Sequence, residues 1–227
     1  APVLARLNER FATCFVFCIQ PPGASAFVGA SPERLVSCAD GRLSADALAG
    51  TSRRGLSSEE DDALGAELLA SEKETREHAS VVTFLEEALR PVTVDLNAPD
   101  SPVLMRLANV QHLHTPFEGV LSNGEGVLDL AQRLHPTPAV AGFPRDQALA
   151  WLARSEELDR GWYAGGVGVV GPKGEGEYCV AIRSGLFGPD GARLFAGAGV
   201  VEGSVPQYED AEVGQKLAGL KEVLVHA

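Results

Sequence analysis

The sequence predicts an α+β fold in which antiparallel β-sheet layers are flanked by long helices. Three patterns carry that expectation. A helical stripe runs from Ser58 to about Arg90, with Leu64, Leu68, Val81, Val82, Leu85 and Leu89 as its apolar side. From Gly161 the pattern turns to strands: WYAGGVGVVG, EYCVAIRSGLF and ARLFAGAGVV, joined by PKGEG and GPDGA, which read as hairpin loops. A further helical stretch covers Gln207 to Val225. Strands that alternate apolar and polar positions, linked by hairpins, point to an antiparallel sheet covered by helices.

The elements follow in order. Leu4, Leu7 and Phe11 suggest a short amphipathic helix. Cys14–Gln20 reads as a strand, followed by a Pro-Pro-Gly turn and the strands AFVGA and RLVSC. Ser58 is the expected N-cap of the long helix, with Glu59, Glu60, Asp61 and Asp62 in the first turn, where the helix dipole favours acids. Pro91 ends it, and a break near Ala70–Ser71 would make two helices. Val92 to Val120 reads as mixed and turn-rich, and Gly126–Leu134 and Arg145–Leu152 as short helices. No repeat and no low-complexity linker interrupts the chain.

At 227 residues, 45% hydrophobic and 22% charged, the chain suits one globular domain or two intimately packed layers. No stretch approaches the ~20 apolar residues of a membrane span. Ala1 to Arg10 lack the basic head and apolar core of a secretory signal. A net charge of −12 argues against nucleic acid and anionic membrane surfaces as partners. An anionic small molecule stays possible, because a divalent metal and a few placed cations can invert the local sign. The four cysteines, Cys14, Cys18, Cys38 and Cys179, form no CxxC pair. Reduced thiols and a cytoplasmic setting are expected, with Cys14 and Cys18 as buried apolar side chains.

Gly166-Val-Gly-Val-Val-Gly171 fits GxGxxG. A dinucleotide fingerprint must open a helix, so that pyrophosphate meets its N-terminus. Here a hairpin into EYCVAIR follows instead, so close packing of a strand is the better reading, and neither NAD nor FAD is expected.

Two acidic pairs stand out, Glu74-x-x-Glu77 and Glu209-x-x-Glu212. A spacing of three puts both carboxylates of a pair on one helix face, where they need water, basic partners or a cation. A solvated face is the plain alternative for either pair alone. Together they offer hard oxygen ligands of the kind that suit Mg2+. Val81 lies four residues past Glu77, Lys216 four past Glu212, and Gly214 would permit close approach. Arg183 reads as mid-strand in CVAIRSG, as a carboxylate clamp or an outward-facing position. Gly197, Gly199 and LAGTSRRG (Leu48–Gly55) read as glycine-marked turns that could offer backbone N–H groups to an anion. Glu33, after Pro32 at a strand start, could be a general acid if burial raised its pKa. His112 and His135 are open to structural or functional readings.

In this order, GASPERLV, LAGTSRRG, LLASEKETREH, QHLHTPFEG, LHPTPAVAGFP, GGVGVV, YCVAIRSGLF and LFAGAGVVEGSVPQYEDAEVGQKL resemble the chorismate-binding enzymes. The resemblance spans about Cys14 to Leu224, and SEKETREH and HPTPAVAGFP look most like the isochorismate synthase branch. It implies that this chain, residues 1–227, is the C-terminal part of a chorismate-binding domain whose N-terminal part is absent. Glu77 and Glu212 look like direct Mg2+ ligands, with Glu74 and Glu209 behind them holding metal-bound water. Arg183 looks like the residue for the enolpyruvyl carboxylate. Gly197 and Gly199 would present N–H groups to the substrate, and Lys216 positive charge. Gly50 and Thr51 would line the ring with His112 close by, and Glu33 would protonate the departing C4 hydroxyl.

The implied reaction is the Mg2+-dependent conversion of chorismate to isochorismate, serving menaquinone or siderophore formation. The family's general base is a lysine in a KVVLAR-like strand, and no such lysine is present; the first lysine here is Lys73. The expectation is a chain that binds Mg2+ and chorismate but turns over poorly. A salicylate- or anthranilate-forming chemistry and an inactive fragment are the alternatives.

Overall fold

A computed structural model describes residues 2–225. Helix α1 spans Pro2–Arg10 and leads into β1 (Phe15–Ile19), β2 (Ala26–Ser31), β3 (Arg34–Ala39) and β4 (Arg42–Arg53). Two helices follow, α2 (Ser58–Ala70) and α3 (Glu72–Leu89), then β5 (Thr93–Asn97), β6 (Val103–Arg106) and β7 (Val110–Leu121). Three shorter helices, α4 (Val127–Leu134), α5 (Pro138–Ala141) and α6 (Arg145–Ser155), precede β8 (Gly166–Val170), β9 (Gly176–Val180), β10 (Ser184–Gly188) and β11 (Gly191–Phe195). Helix α7 covers Pro206–Val225.

The strands form two sheets, and the pairings between strands are antiparallel. One sheet has the order β1-β2-β10-β11; the other runs β5-β7-β4-β3-β9-β8, with β6 also paired to β7. This is the α+β architecture expected from the sequence.

Helix α3 crosses the larger sheet over β4. Val81, Leu85 and Leu89 recur at a spacing of four, so they form one stripe, and all three are fully buried. They meet Ala45, Ala47 and Ala49, which alternate along β4 toward the same side. Small residues on the strand let the helix lie close. Leu130 and Leu134 of α4 complete this core with Phe117 of β7 and Val180 of β9. A second, smaller core joins Leu7 of α1, Val28 and Ala30 of β2, and Leu220 and Val223 of α7.

Several expectations are corrected. The N-cap of α2 is Ser57 rather than Ser58: its side chain accepts from the Glu60 N–H at 3.2 Å. The expected break is present at Ser71, whose hydroxyl caps α3 by accepting from the Glu74 N–H. Glu74 therefore lies in the first turn of α3. Leu48–Arg53 is not a turn but the end of β4, interrupted by a bulge at Gly50. The register against β7 shifts between Ala49 and Thr51, and Gly50 has φ 76°, which glycine adopts without strain.

The middle segment contains β7, a strand of twelve residues in the heart of the larger sheet. Pro116 sits within it opposite Asp46, and a proline argues against a central strand in any sequence reading. EYCVAIRSGLF is two strands in different sheets. The chain passes from one sheet to the other at Arg183, whose φ is 51°, so Arg183 is not mid-strand. Cys18 is exposed, not buried. Gly166–Gly171 covers β8 and the turn into β9, in keeping with a packed strand rather than a nucleotide loop. Among the described residues, no helix is long and apolar enough to cross a membrane.

Truncating Leu85 to Ala should cost about 2–5 kcal/mol in urea denaturation, because it opens a void between α3 and β4. Leu56→Ala, at a residue 96% exposed, should stay within about 0.5 kcal/mol of the parent. Equal losses would mean that α3 does not pack as described.

Candidate functional site

The larger sheet, α3, α5, α7 and the segments that link the two sheets line a cavity of about 190 Å3. Its walls include Glu33, Gly50, Thr51, Glu77, His112, Arg183, Gly197, Gly199 and Lys216. Every residue expected to contact substrate or act on it is therefore brought to one place, from segments far apart in sequence. Glu74, Glu209 and Glu212 do not line this cavity. They border a second, open hollow of about 250 Å3 with Lys73 and Thr51. His135 follows the last turn of α4 and lies outside both.

The bulge on β4 organises the site. The Gly50 N–H donates to Glu77 Oε1 at 3.5 Å, and the Thr51 N–H to Glu74 Oε2 at 3.0 Å. Two adjacent amides of one strand thus hold the two glutamates of one helix. The Gly50 carbonyl lies 3.0 Å from His112 Nδ1, and Thr51 Oγ1 is 3.2 Å from the same nitrogen. A carbonyl only accepts, so Nδ1 carries the proton and Nε2 keeps its lone pair. That lone pair faces Arg183 Nη2 at 3.0 Å. Burial first, then the charges of Arg183 and Lys216, push the His112 pKa well below its usual value, so the ring is neutral.

Arg183 is 8% exposed and makes no salt bridge among the described residues. Burial lowers its pKa, and a guanidinium stays charged under such a shift. A buried cation without a carboxylate partner is costly, and it is a ready site for an anion.

Glu33 is 2% exposed, between β2 and β3, and its Oε1 has no hydrogen-bond partner. Burial, then the nearby charge of Asp46, raises its pKa to about 8. Asp46 lies 3.4 Å from Arg34 Nη1 and 2.9 Å from His114 Nε2. Glu33 is therefore a neutral acid at pH 7, able to give a proton into the cavity.

The acidic pairs face each other across α3 and α7 with lysines between them. Lys73 Nζ lies 2.9 Å from Glu74 Oε1 and 2.7 Å from Glu209 Oε1. The Glu209 contact is ionic without hydrogen-bond geometry, so both Glu209 oxygens lack a hydrogen bond. Lys216 Nζ is 2.5 Å from Glu212 Oε1 and donates to the Gly197 carbonyl at 2.9 Å. Burial, then the charges of Glu74 and Glu212, raises the Glu77 pKa to about 7. The donors are the hard oxygens a divalent cation takes, and their mutual repulsion calls for positive charge. Here the lysines supply it, and among the described residues no three His, Cys, Asp or Glu side chains are grouped closely enough to hold a metal.

Gly199 is placed by contact: a Cβ there would collide with the Glu77 carboxylate. A Cβ at Gly214, by contrast, would meet open space, which corrects the expectation of close approach. Tyr163 was not anticipated. It lines the cavity and stacks on Phe195 with ring centroids 5.3 Å apart. Its position just before the GGVGVV strand gave no signal beyond an aromatic in a strand-like run. Arg160, also on the wall, is paired with Glu156.

A family profile described as chorismate binding enzyme matches residues 1–225. The salicylate biosynthesis isochorismate synthase of Pseudomonas aeruginosa is 46% identical over 202 residues, covering 89% of this chain and 42% of that protein. The isochorismate synthase MenF of Bacillus subtilis is 42% identical over 217 residues, covering 95% of this chain and 46% of that protein. The solved structure of MenF, the menaquinone-specific isochorismate synthase of Escherichia coli, superposes with a TM-score of 0.88 at 36% identity. It covers 98% of this chain and 51% of that one. The chain thus spans about half the length of the curated relatives it matches.

The raised pKa of Glu33 has a stability consequence. A carboxyl whose folded pKa lies above its ordinary 4.5 stabilises the fold fully below that value and loses the effect as pH rises to about 8. The stability of the parent relative to Glu33→Gln should therefore fall between pH 4.5 and 8 and level off above. A flat difference across that window in denaturant melts would mean that Glu33 is ionised in the folded protein.

Proposed function

This chain belongs to the chorismate-binding enzymes, and on that premise we propose that it carries the site for converting chorismate to isochorismate. The observation that carries the reading is a single cavity holding a buried guanidinium without a carboxylate partner beside a buried neutral carboxyl. Its closely similar relatives are named isochorismate synthases, which favours this chemistry over the other reactions of the family.

Chorismate carries two carboxylates. Arg183 would bind the enolpyruvyl one, with two donors directed at its two oxygens. Gly197 and Gly199 would offer backbone N–H groups, and Lys216 positive charge, on the facing wall. Gly50, Thr51 and His112 would bound the ring. Mg2+ is part of the proposal: Glu77 and Glu212 would hold it, with Glu74 and Glu209 behind them. When bound, it would neutralise the ring carboxylate and orient the ring. The raised pKa of Glu77, pushed up after burial by the charges of Glu74 and Glu212, supports a place where a further positive charge would be favourable.

In the proposed reaction, Glu33 gives its proton to the C4 hydroxyl as the C4–O bond breaks. A water oxygen bonds to C2, the ring double bonds shift, and the second proton of that water passes to a base. Among the described residues, neither His112 nor Lys216 on the cavity wall stands free for that last role. Both ring nitrogens of His112 are engaged, and Lys216 is tied to Glu212 and Gly197. This chain alone is therefore proposed to bind chorismate more readily than it turns it over.

Calorimetric titration of chorismate should show binding in Mg2+ that is lost in EDTA. Arg183→Met should weaken it by ~10- to 100-fold, the worth of hydrogen bonds to a charged group. No binding by a folded parent chain would overturn the assignment of substrate. Rapid isochorismate formation by the isolated chain would overturn the missing base alone.

A further inference from the structure

We propose that His112 is a positioning residue that aims Arg183 at the substrate carboxylate through its Nε2 lone pair, rather than a group that acts on the ring. The proposal rests on the reading that this cavity takes chorismate.

The geometry runs as a chain of three groups. The Gly50 carbonyl accepts from Nδ1–H, 3.0 Å away, and Nε2 accepts from Arg183 Nη2, also at 3.0 Å. Each bond constrains the next. The carbonyl is backbone and does not titrate, so it keeps the proton on Nδ1. The ring is planar, so fixing Nδ1 fixes the direction of the Nε2 lone pair. That direction sets the plane of a guanidinium that has no other hydrogen bond to a side chain among the described residues.

The chemistry of the partner matters as much as its place. A buried arginine is usually held by a carboxylate, which fixes its orientation but cancels its charge. A neutral imidazole fixes the orientation and leaves the charge for the ligand. The ring is buried at 4% exposure and both its nitrogens are committed, so it has no free atom to abstract or deliver a proton. Thr51 Oγ1, 3.2 Å from Nδ1, adds a second restraint from the same strand.

Three variants and one spectrum test this. His112→Phe keeps the ring and removes the acceptor; it should weaken chorismate binding by ~10- to 100-fold, the worth of a hydrogen bond to a charged group. His112→Gln restores an acceptor oxygen and should recover most of that loss. In an Arg183→Met background, His112→Phe should change binding by less than about 3-fold, because coupled residues are non-additive. Additive losses would overturn the proposal. So would a Phe variant that melts earlier but binds as well as the parent, or one that binds normally and loses residual turnover. Should the Phe variant not fold, long-range 1H–15N spectra of the parent decide: protonated Nδ1 with bare Nε2 upholds the proposal, and a protonated Nε2 sinks it. A parent chain that does not bind chorismate removes the functional reading, while the nitrogen spectrum still decides whether His112 holds Arg183.

Discussion

The bulge at Gly50 is the constraint on which the site depends. It inserts one residue into β4 against β7 and turns two successive amides toward α3. Those amides hold Glu77 and Glu74, and the carbonyl between them holds His112. A regular strand would spend these groups on its neighbour in the ladder. The disruption thus releases backbone polar groups where acidic and basic residues must be arranged. A side chain at Gly50 would be strained at φ 76° and would press on Glu74 and Leu113, both 3.2 Å from the Cβ position. The helix docked against this strand is itself fixed by Val81, Leu85 and Leu89, so the apolar packing below and the polar contacts above set one another.

An acidic chain with a net charge of −12 is an unexpected host for the dianion proposed as its substrate. The site resolves this by location. Arg183 and Lys216 both line the cavity, where burial raises the pKa of the acids Glu33 and Glu77 to about 8 and about 7. Charges in a poorly solvated cleft are screened little, so a cation placed there acts on a bound anion more strongly than a distant acid of equal charge. Lys73 and Lys216 play a second part, since each bridges to a carboxylate of the acidic pairs.

Much of this was legible in the sequence, for identifiable reasons. The ExxE pairs announce themselves by spacing, and helical periodicity places α3 and α7 without reference to the rest of the fold. Glu33 carried only a conditional reading, because burial is a tertiary property; the structure supplies the burial and, in Asp46, a like charge from another strand. Strand β7 was lost to Pro116, whose cost is absorbed by a long pairing with β4. The break at Arg183 was lost because AIRSG continues the alternation of one strand; nothing local says that the chain changes sheets there. Neither the bulge at Gly50 nor the bond from His112 to Arg183 has a local signature, since each depends on which strands become neighbours.

Glu33 and Glu77 show how one cavity can give two carboxyls different work. Burial raises both, to about 8 and about 7. The next contribution differs. For Glu33 it is Asp46, which pairs with Arg34 and His114 and does not line the cavity. That contribution comes from outside the cavity, so on the proposed reading Glu33 would stay a proton donor. For Glu77 it is Glu74 and Glu212, carboxylates that belong to the same cluster. The proposed divalent cation, held there, would relieve that repulsion and favour the ionised form of Glu77. On the proposed reading, the same low dielectric would keep one carboxyl neutral for acid catalysis and leave the other to become a ligand, because only one of the two perturbing charges would be open to neutralisation.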